Sequence, residues 1–207
     1  TSEGGIICTD DSELADRMKV QALHGLSRDA WSRFSDAGYR HYEVVLPGYK
    51  YNMTDLQAAL GLCQLRHVDE WHRRREALWQ RYDAAFSDLA CTLPAPAAVG
   101  TVHARHLYTL LIDVDTIGKS RDQVMAELHE LGIGTGVHYR AVHLHRYYRE
   151  RFGFVPDDFP DSAWISERTL SLPLSAKLTE TQVERIIEGV RSVLVASDVS
   201  RLSGAEP

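Results

Sequence analysis

Residues 48–61, GYKYNMTDLQAALG, decide the reading of this chain. Gly48 permits a tight turn, and Thr54-Asp55-Leu56-Gln57 has the spacing of a capping box. In such a box the Thr hydroxyl and the Gln amide satisfy the orphan backbone donors at a helix start. Beyond it nothing forces a break before about Phe86; Gly61 is tolerated. Leu56, Leu60, Cys63, Val68, Trp71, Leu78, Tyr82 and Phe86 recur at roughly helical spacing, with Arg73, Arg74, Arg75 and Glu76 on other faces. The expectation is one long helix over 54–86, straight or kinked, joining two domains. Lys50 and Asn52 then stand beside a helix N-terminus, where outward-pointing N–H groups and the helix dipole favour an anion. A phosphate or carboxylate site is one reading of that stretch; a plain loop-to-helix entry with a hydrophobic staple is the other.

N-terminal to this stretch, Gly4-Gly5 leads into Ile6-Ile7-Cys8, which reads as a short buried strand over 4–9. Asp11 or Ser12 can cap a helix to about Leu23, stopped by His24-Gly25. Residues 26–47 carry no sustained period and read as a long ordered loop; His24-Gly25 with Arg28, Arg33 and Arg40 form either an anion-facing rim or plain solvated surface.

C-terminal to the helix, 93–100 is a Pro- and Ala-rich linker. Strands are expected over 105–114, 135–139 and 169–172. Helices are expected over 120–131, 161–168 and 180–195, the first and last with capping boxes at Ser120/Gln123 and Thr179/Gln182. The domain reading is a remnant of a large domain over 1–53, the helix over 54–86, a compact α+β domain over 87–196 and a disordered tail over 197–207.

The bulk numbers exclude several classes. Of 207 residues, 44% are hydrophobic and 25% charged, an ordinary globular balance. A net charge of −6 argues against a nucleic-acid footprint, which needs clustered Lys and Arg. Three dispersed cysteines, Cys8, Cys63 and Cys91, fit a reduced compartment, and no run has the length of a bilayer span. The expectation is a soluble cytoplasmic protein with no membrane insertion. His138, His143 and His145 lack a zinc spacing and have no Cys or acidic ligand between them, so no metal site is expected. His138 beside Arg140 at a strand end suits a carboxylate or phosphate, or else a partly buried polar cluster. There is no nucleophile elbow, P-loop or dinucleotide fingerprint, and hence no self-sufficient catalytic set.

Four stretches together resemble one family: Ser2-Glu3-Gly4-Gly5 with its strand, His24-Gly25, residues 48–61, and residues 134–140 running on to 147–152. They are similar to the DegT/DnrJ/StrS sugar aminotransferases, fold-type I enzymes dependent on pyridoxal 5′-phosphate (PLP). The second and fourth stretches are most similar to the branch that acts on UDP-4-keto-pentose and makes UDP-4-amino-4-deoxy-L-arabinose for lipid A, a lipopolysaccharide component. The resemblance covers roughly residues 1–196. It implies an α/β fold, here the C-terminal part of such a transferase: the end of the large α/β domain, a long linking helix and a small α+β domain. It also implies a homodimer with shared sites, glutamate/2-oxoglutarate as amino donor pair and a nucleotide-linked keto sugar as acceptor.

The resemblance further implies that the Schiff-base lysine lies a few residues before the Glu-Gly-Gly turn, upstream of Thr1. None of the four lysines, Lys19, Lys50, Lys119 and Lys177, matches that position, so no catalytic residue is assigned and the chain alone is expected to be inactive. Lys50 and Asn52 resemble the segment extended toward the phosphate of a neighbouring subunit's PLP, although the family pattern has Asn at 50 and Arg at 52. His138, Tyr139 and Arg140 resemble the segment facing the sugar nucleotide or the donor carboxylate, and His24 and Arg40 the loop approaching the partner's site. The alternatives are a non-catalytic truncated form or pseudoenzyme serving as a dimerisation or binding module, and a regulator or dehydratase on the same fold.

Overall fold

A computed structural model describes Thr1, residues 3–27 and residues 42–195. The Arg28, Arg33 and Arg40 rim and the tail over 197–207 lie outside the described residues. Contacts divide the chain into two compact units, Thr1–Val68 and the chain from Asp69 onward.

In the first unit, α1 (Ser12–Ala22) starts at Asp11, whose carboxylate accepts the Leu14 N–H at 2.9 Å. The second helix, α2 (Asp55–Leu65), starts at the expected capping box: Thr54 Oγ1 accepts the Gln57 N–H and Gln57 Oε1 accepts the Thr54 N–H. Neither helix buries a side chain. Two expectations need correction here. Residues 4–9 are neither a strand nor buried; Ile6 is 89% and Ile7 73% exposed. A strand exists only where a neighbour accepts its ladder, and no described residue supplies one to this segment. The single helix over 54–86 is two helices, α2 and α3 (Val68–Phe86), parted at Arg66-His67.

The second unit is built on a three-stranded antiparallel sheet in the order β1 (Cys91–Thr92), β2 (Tyr108–Ile112), β3 (Thr169–Leu172). Period 2 along β2 sends Tyr108, Leu110 and Ile112 into the core, each fully buried. Helix α3 meets this face with Leu78, Trp79, Tyr82 and Phe86. A short helix α4 (Val114–Ile117) follows β2, and α5 (Arg121–Glu130) contributes Val124 and Leu128. After α6 (Arg146–Phe152) and α7 (Pro160–Arg168) comes α8 (Glu180–Leu194), which adds Val183, Ile186, Val190, Val193 and Leu194 at helical spacing. The capping boxes at Ser120 and Thr179 form as expected.

The strand expected over 135–139 is absent. Gly136 makes a single bridge, exchanging two backbone bonds with Ser171 on β3 at 3.0 and 2.8 Å, and the pairing goes no further. Polar anchors brace the periphery of this unit. Arg105, itself at a left-handed φ of 49°, forks onto Glu76 with Nε–Oε2 at 2.6 Å and Nη2–Oε1 at 3.1 Å, and lies 4.3 Å over the Trp79 ring.

Candidate functional site

The sequence-predicted residues fall on two loops, one in each unit. In the first unit, His24 N–H donates to the Tyr49 carbonyl at 2.8 Å, Tyr49 N–H to Gln21 at 2.7 Å and Tyr51 N–H to Ala22 at 2.8 Å. These bonds lash the end of α1 against residues 49–51, so His24 and Lys50 sit on paired backbone, with Leu23 bridged to Lys50. The crossing is possible because two glycines meet there. A Cβ on Gly48 would stand 2.1 Å from the Gly25 amide nitrogen, and one on Gly25 1.7 Å from the Leu46 carbonyl oxygen. Gly25 also turns at a φ of +71°. Both glycines therefore hold backbones together, beyond the helix stop and tight turn that the sequence suggested.

On this frame Lys50 is exposed, and its Nζ hydrogen-bonds Asn52 Oδ1. The Tyr49 and Tyr51 rings stack beside them at 4.9 Å. A cation and an amide on one short turn form a donor set that suits a phosphate. His24 is exposed and adds a third polar group to the same crossing.

In the second unit, α5 is capped by Leu131 and the chain returns along β3 through Gly136. His138 Nδ1 lies 2.7 Å from Ser171 Oγ. Thr169 Oγ1 donates to the His138 carbonyl at 3.4 Å, and Ser166 Oγ accepts the Ala141 N–H at 2.8 Å. Three hydroxyls spaced along the α7–β3 junction thus hold residues 138–141. Arg121 of α5 fixes that junction in turn, with Nη1 donating to the Thr169 carbonyl at 3.0 Å and the Ser166 carbonyl at 3.4 Å. The His138–Tyr139 peptide is cis, and the two rings meet edge to face at 4.8 Å. Tyr139 and Arg140 are exposed at the rim, Arg140 donating to the Leu144 carbonyl at 3.3 Å.

The structure therefore gathers His138, Tyr139 and Arg140 on one loop, and brings His24 at the end of α1 against the turn that carries Lys50 and Asn52; Arg40 lies outside the described residues. Sequence reasoning missed Ser166, Thr169 and Ser171. The available signal was chemical: three hydroxyls in or beside a four-residue strand buried along its whole length, where each polar group requires a partner.

Comparison with known proteins gives the class. The sequence profile of the DegT/DnrJ/EryC1/StrS aminotransferase family matches residues 1–191. The spore coat polysaccharide biosynthesis protein SpsC of Bacillus subtilis is 44% identical over 199 residues, 96% of this chain and 51% of SpsC. Among solved structures, the Streptococcus pneumoniae protein Spr1654 in its PMP form superposes with a TM-score of 0.76 at 31% identity, covering 89% of this chain and 44% of its own. Helicobacter pylori PseC, an aminotransferase involved in pseudoaminic acid biosynthesis, superposes with a TM-score of 0.75 at 26% identity over 90% and 47%. The chain belongs to the DegT/DnrJ/EryC1/StrS aminotransferase family. It spans about half the length of the curated relatives it matches. Family members use PLP, and Spr1654 has been solved in a PLP form as well as the PMP form.

Proposed function

We propose that the protein containing this chain transfers an amino group from glutamate to a 4-keto sugar carried on a nucleotide, with PLP as cofactor. Family membership over residues 1–191 is the observation that carries this reading. The donor sets on the two loops agree with it. When bound, PLP supplies the electron sink that lets an amino group pass between donor and acceptor. Lys50 contributes a point charge and Asn52 an amide to its phosphate, reaching across a homodimer to the neighbouring subunit's site. His138 and Arg140 face the sugar nucleotide or the donor carboxylate, Tyr139 sets its ring edge to face against His138, and His24 lines the approach.

None of the four lysines suits the Schiff-base role. Lys19 pairs with Asp16 on α1, Lys119 pairs with Glu127, Lys50 belongs to the phosphate-facing turn, and Lys177 lies in the turn between β3 and α8. The reading assigns that lysine to polypeptide preceding Thr1.

The test joins this chain to its encoded upstream sequence and follows PLP absorbance and glutamate-dependent amination of a UDP-4-keto-pentose. Both signals are expected, and both should vanish from the 207-residue chain alone. A full-length protein that binds PLP yet aminates no nucleotide-linked keto sugar would refute the substrate assignment. One that binds no PLP would refute the reading altogether.

A further inference from the structure

The ring of His138 is held by more than its own loop. We propose that Ser171 is a positioning residue for His138, setting its neutral imidazole in the form that carries the proton on Nε2, so that the ring offers a donor to a ligand oxygen. The assignment of His138 to a ligand-facing role rests on the reading above; the tautomer rests on geometry alone.

Ser171 is 4% exposed, and its hydroxyl makes one hydrogen bond among the described residues, the 2.7 Å contact with His138 Nδ1. Its backbone is locked to Gly136 by both ladder bonds, so Oγ has a fixed place on the strand. A buried hydroxyl with a single partner keeps its proton bonded only by donating. Accepting from an Nδ1–H would leave the O–H buried without an acceptor, the costlier arrangement. With the serine donating, Nδ1 is the acceptor and the neutral ring carries its hydrogen on Nε2. Nε2 makes no hydrogen bond to a described residue and is not sealed in the interior.

Protonation of the ring only reverses the Ser171 bond, Nδ1–H then donating to Oγ, while Nε2–H stays a donor. His138 thus presents an N–H in both charge states. That property suits a phosphate, carboxylate or keto oxygen and does not suit a general base, which needs a bare nitrogen.

Gly136 completes the clamp. A Cβ there would stand 2.9 Å from His138 Cε1, so only glycine at 136 lets the ring lie against the strand within reach of Ser171. The spacing Gly136-x-His138 facing Ser171 is a three-point seat for one imidazole.

The test uses the 15N-labelled 207-residue chain and long-range proton–nitrogen correlation of the imidazoles. It is run about two pH units above the ordinary imidazole value, with His138→Gln identifying the resonance. The wild-type ring is expected to favour Nε2–H over Nδ1–H on the order of tenfold. Ser171→Ala should relax the ratio toward that of a free imidazole, and Gly136→Ala should do the same with the hydroxyl still present, because the ring is pushed off its partner. A wild-type ring protonated on Nδ1, or a ratio unchanged in a folded Ser171→Ala chain, overturns the proposal. Free imidazole itself favours Nε2–H modestly, so support comes from the fall in the ratio on Ser171→Ala; should that variant fail to fold, Ser171→Cys, whose S–H is a much weaker donor, must lower the ratio instead. Because no substrate is involved, a failed amination assay and a failed tautomer are separate results.

Discussion

Replacing Glu76 by Gln tests whether the second unit depends on the charge of the Glu76–Arg105 pair or only on its shape. Arg105 has an 11% exposed side chain, a bidentate grip on Glu76 and a face against Trp79, while its buried Nη1 has no hydrogen-bond partner among the described residues. Glu76 is 31% exposed, so the pair sits between two limits. Exposed pairs contribute about 0–1 kcal/mol, whereas removing one partner of a buried pair costs about 3–5 kcal/mol. Gln keeps one acceptor for the fork and loses the charge, leaving a guanidinium with one donor already unsatisfied. The expected loss is about 2 kcal/mol, read as a lower urea midpoint at unchanged slope. Tryptophan emission can follow it, since Trp71, Trp79 and Trp164 all lie in this unit.

The same variant has a pH signature with a definite sign. The Arg105 hydrogen bonds hold the Glu76 carboxyl below its ordinary value of 4.5, against the opposing effect of burial. A carboxyl lowered on folding contributes stability that is complete above its unfolded value and lost as pH falls through the folded one. The gap between wild type and Glu76→Gln should therefore be flat near neutrality and close progressively below about pH 4.5. A gap that is absent at pH 7, or that persists unchanged in acid, would refute the assignment of the stabilisation to charge.

Three other outcomes follow from contacts elsewhere in the protein. Tyr108→Phe removes a hydroxyl that donates to Asp83 at 2.8 Å, and Tyr82→Phe one that donates to the neutral Pro173 carbonyl at 2.9 Å. The first should cost about 1.5–3 kcal/mol and the second about 1 kcal/mol in urea unfolding, and the reverse order would be a refutation. Gly48→Ala places a methyl 2.1 Å from a backbone nitrogen that no rotamer change can clear, so the amides of His24, Tyr49 and Tyr51 should lose hydrogen-exchange protection together; unchanged protection would show that the crossing does not need the glycine. For the thiols, Cys8 and Cys63 are exposed, whereas burial, with help from Asp88, pushes Cys91 up to about 11 from 9.0. Cys91 should hold about 100-fold less thiolate at pH 8 and label correspondingly more slowly with a disulfide reagent, and equal rates at all three would contradict the burial.

What the sequence made legible was mainly what is local. The boxes Thr54/Gln57, Ser120/Gln123 and Thr179/Gln182 close within three residues, need no distant partner, and all form. The α7–β3 boundary at Arg168/Thr169 was likewise readable from a helical stretch giving way to TLSL. The misreadings share one cause. Ile6-Ile7-Cys8 and Thr135–Tyr139 have strand-like composition, but a strand is a relation between two segments, and composition reports only one of them. The break between α2 and α3 escaped because Arg66-His67 contains no breaker, while Gly61, the residue that could have marked one, lies inside α2. Family resemblance singled out His138, Tyr139 and Arg140. Ser171 could be connected to them only once β3 had its neighbour.

The two loops owe their shapes to different forces, and this determines where each is vulnerable. The His138 loop is fastened to β3, whose Leu170 and Leu172 are buried in the core with Tyr108, Leu110 and Ile112. A core substitution that shifts β3 moves Ser171 and should reach the imidazole without touching it. The Lys50 loop has no comparable support, since α1 and α2 bury no side chain. Its geometry depends on backbone bonds across the Gly25–Gly48 contact. Lys50 and Asn52 should therefore be misplaced more readily by a methyl group at either glycine than by truncating any side chain in the two helices. Gly25 and Gly48, which carry no side chain of their own, thus set the geometry of the turn that bears Lys50 and Asn52.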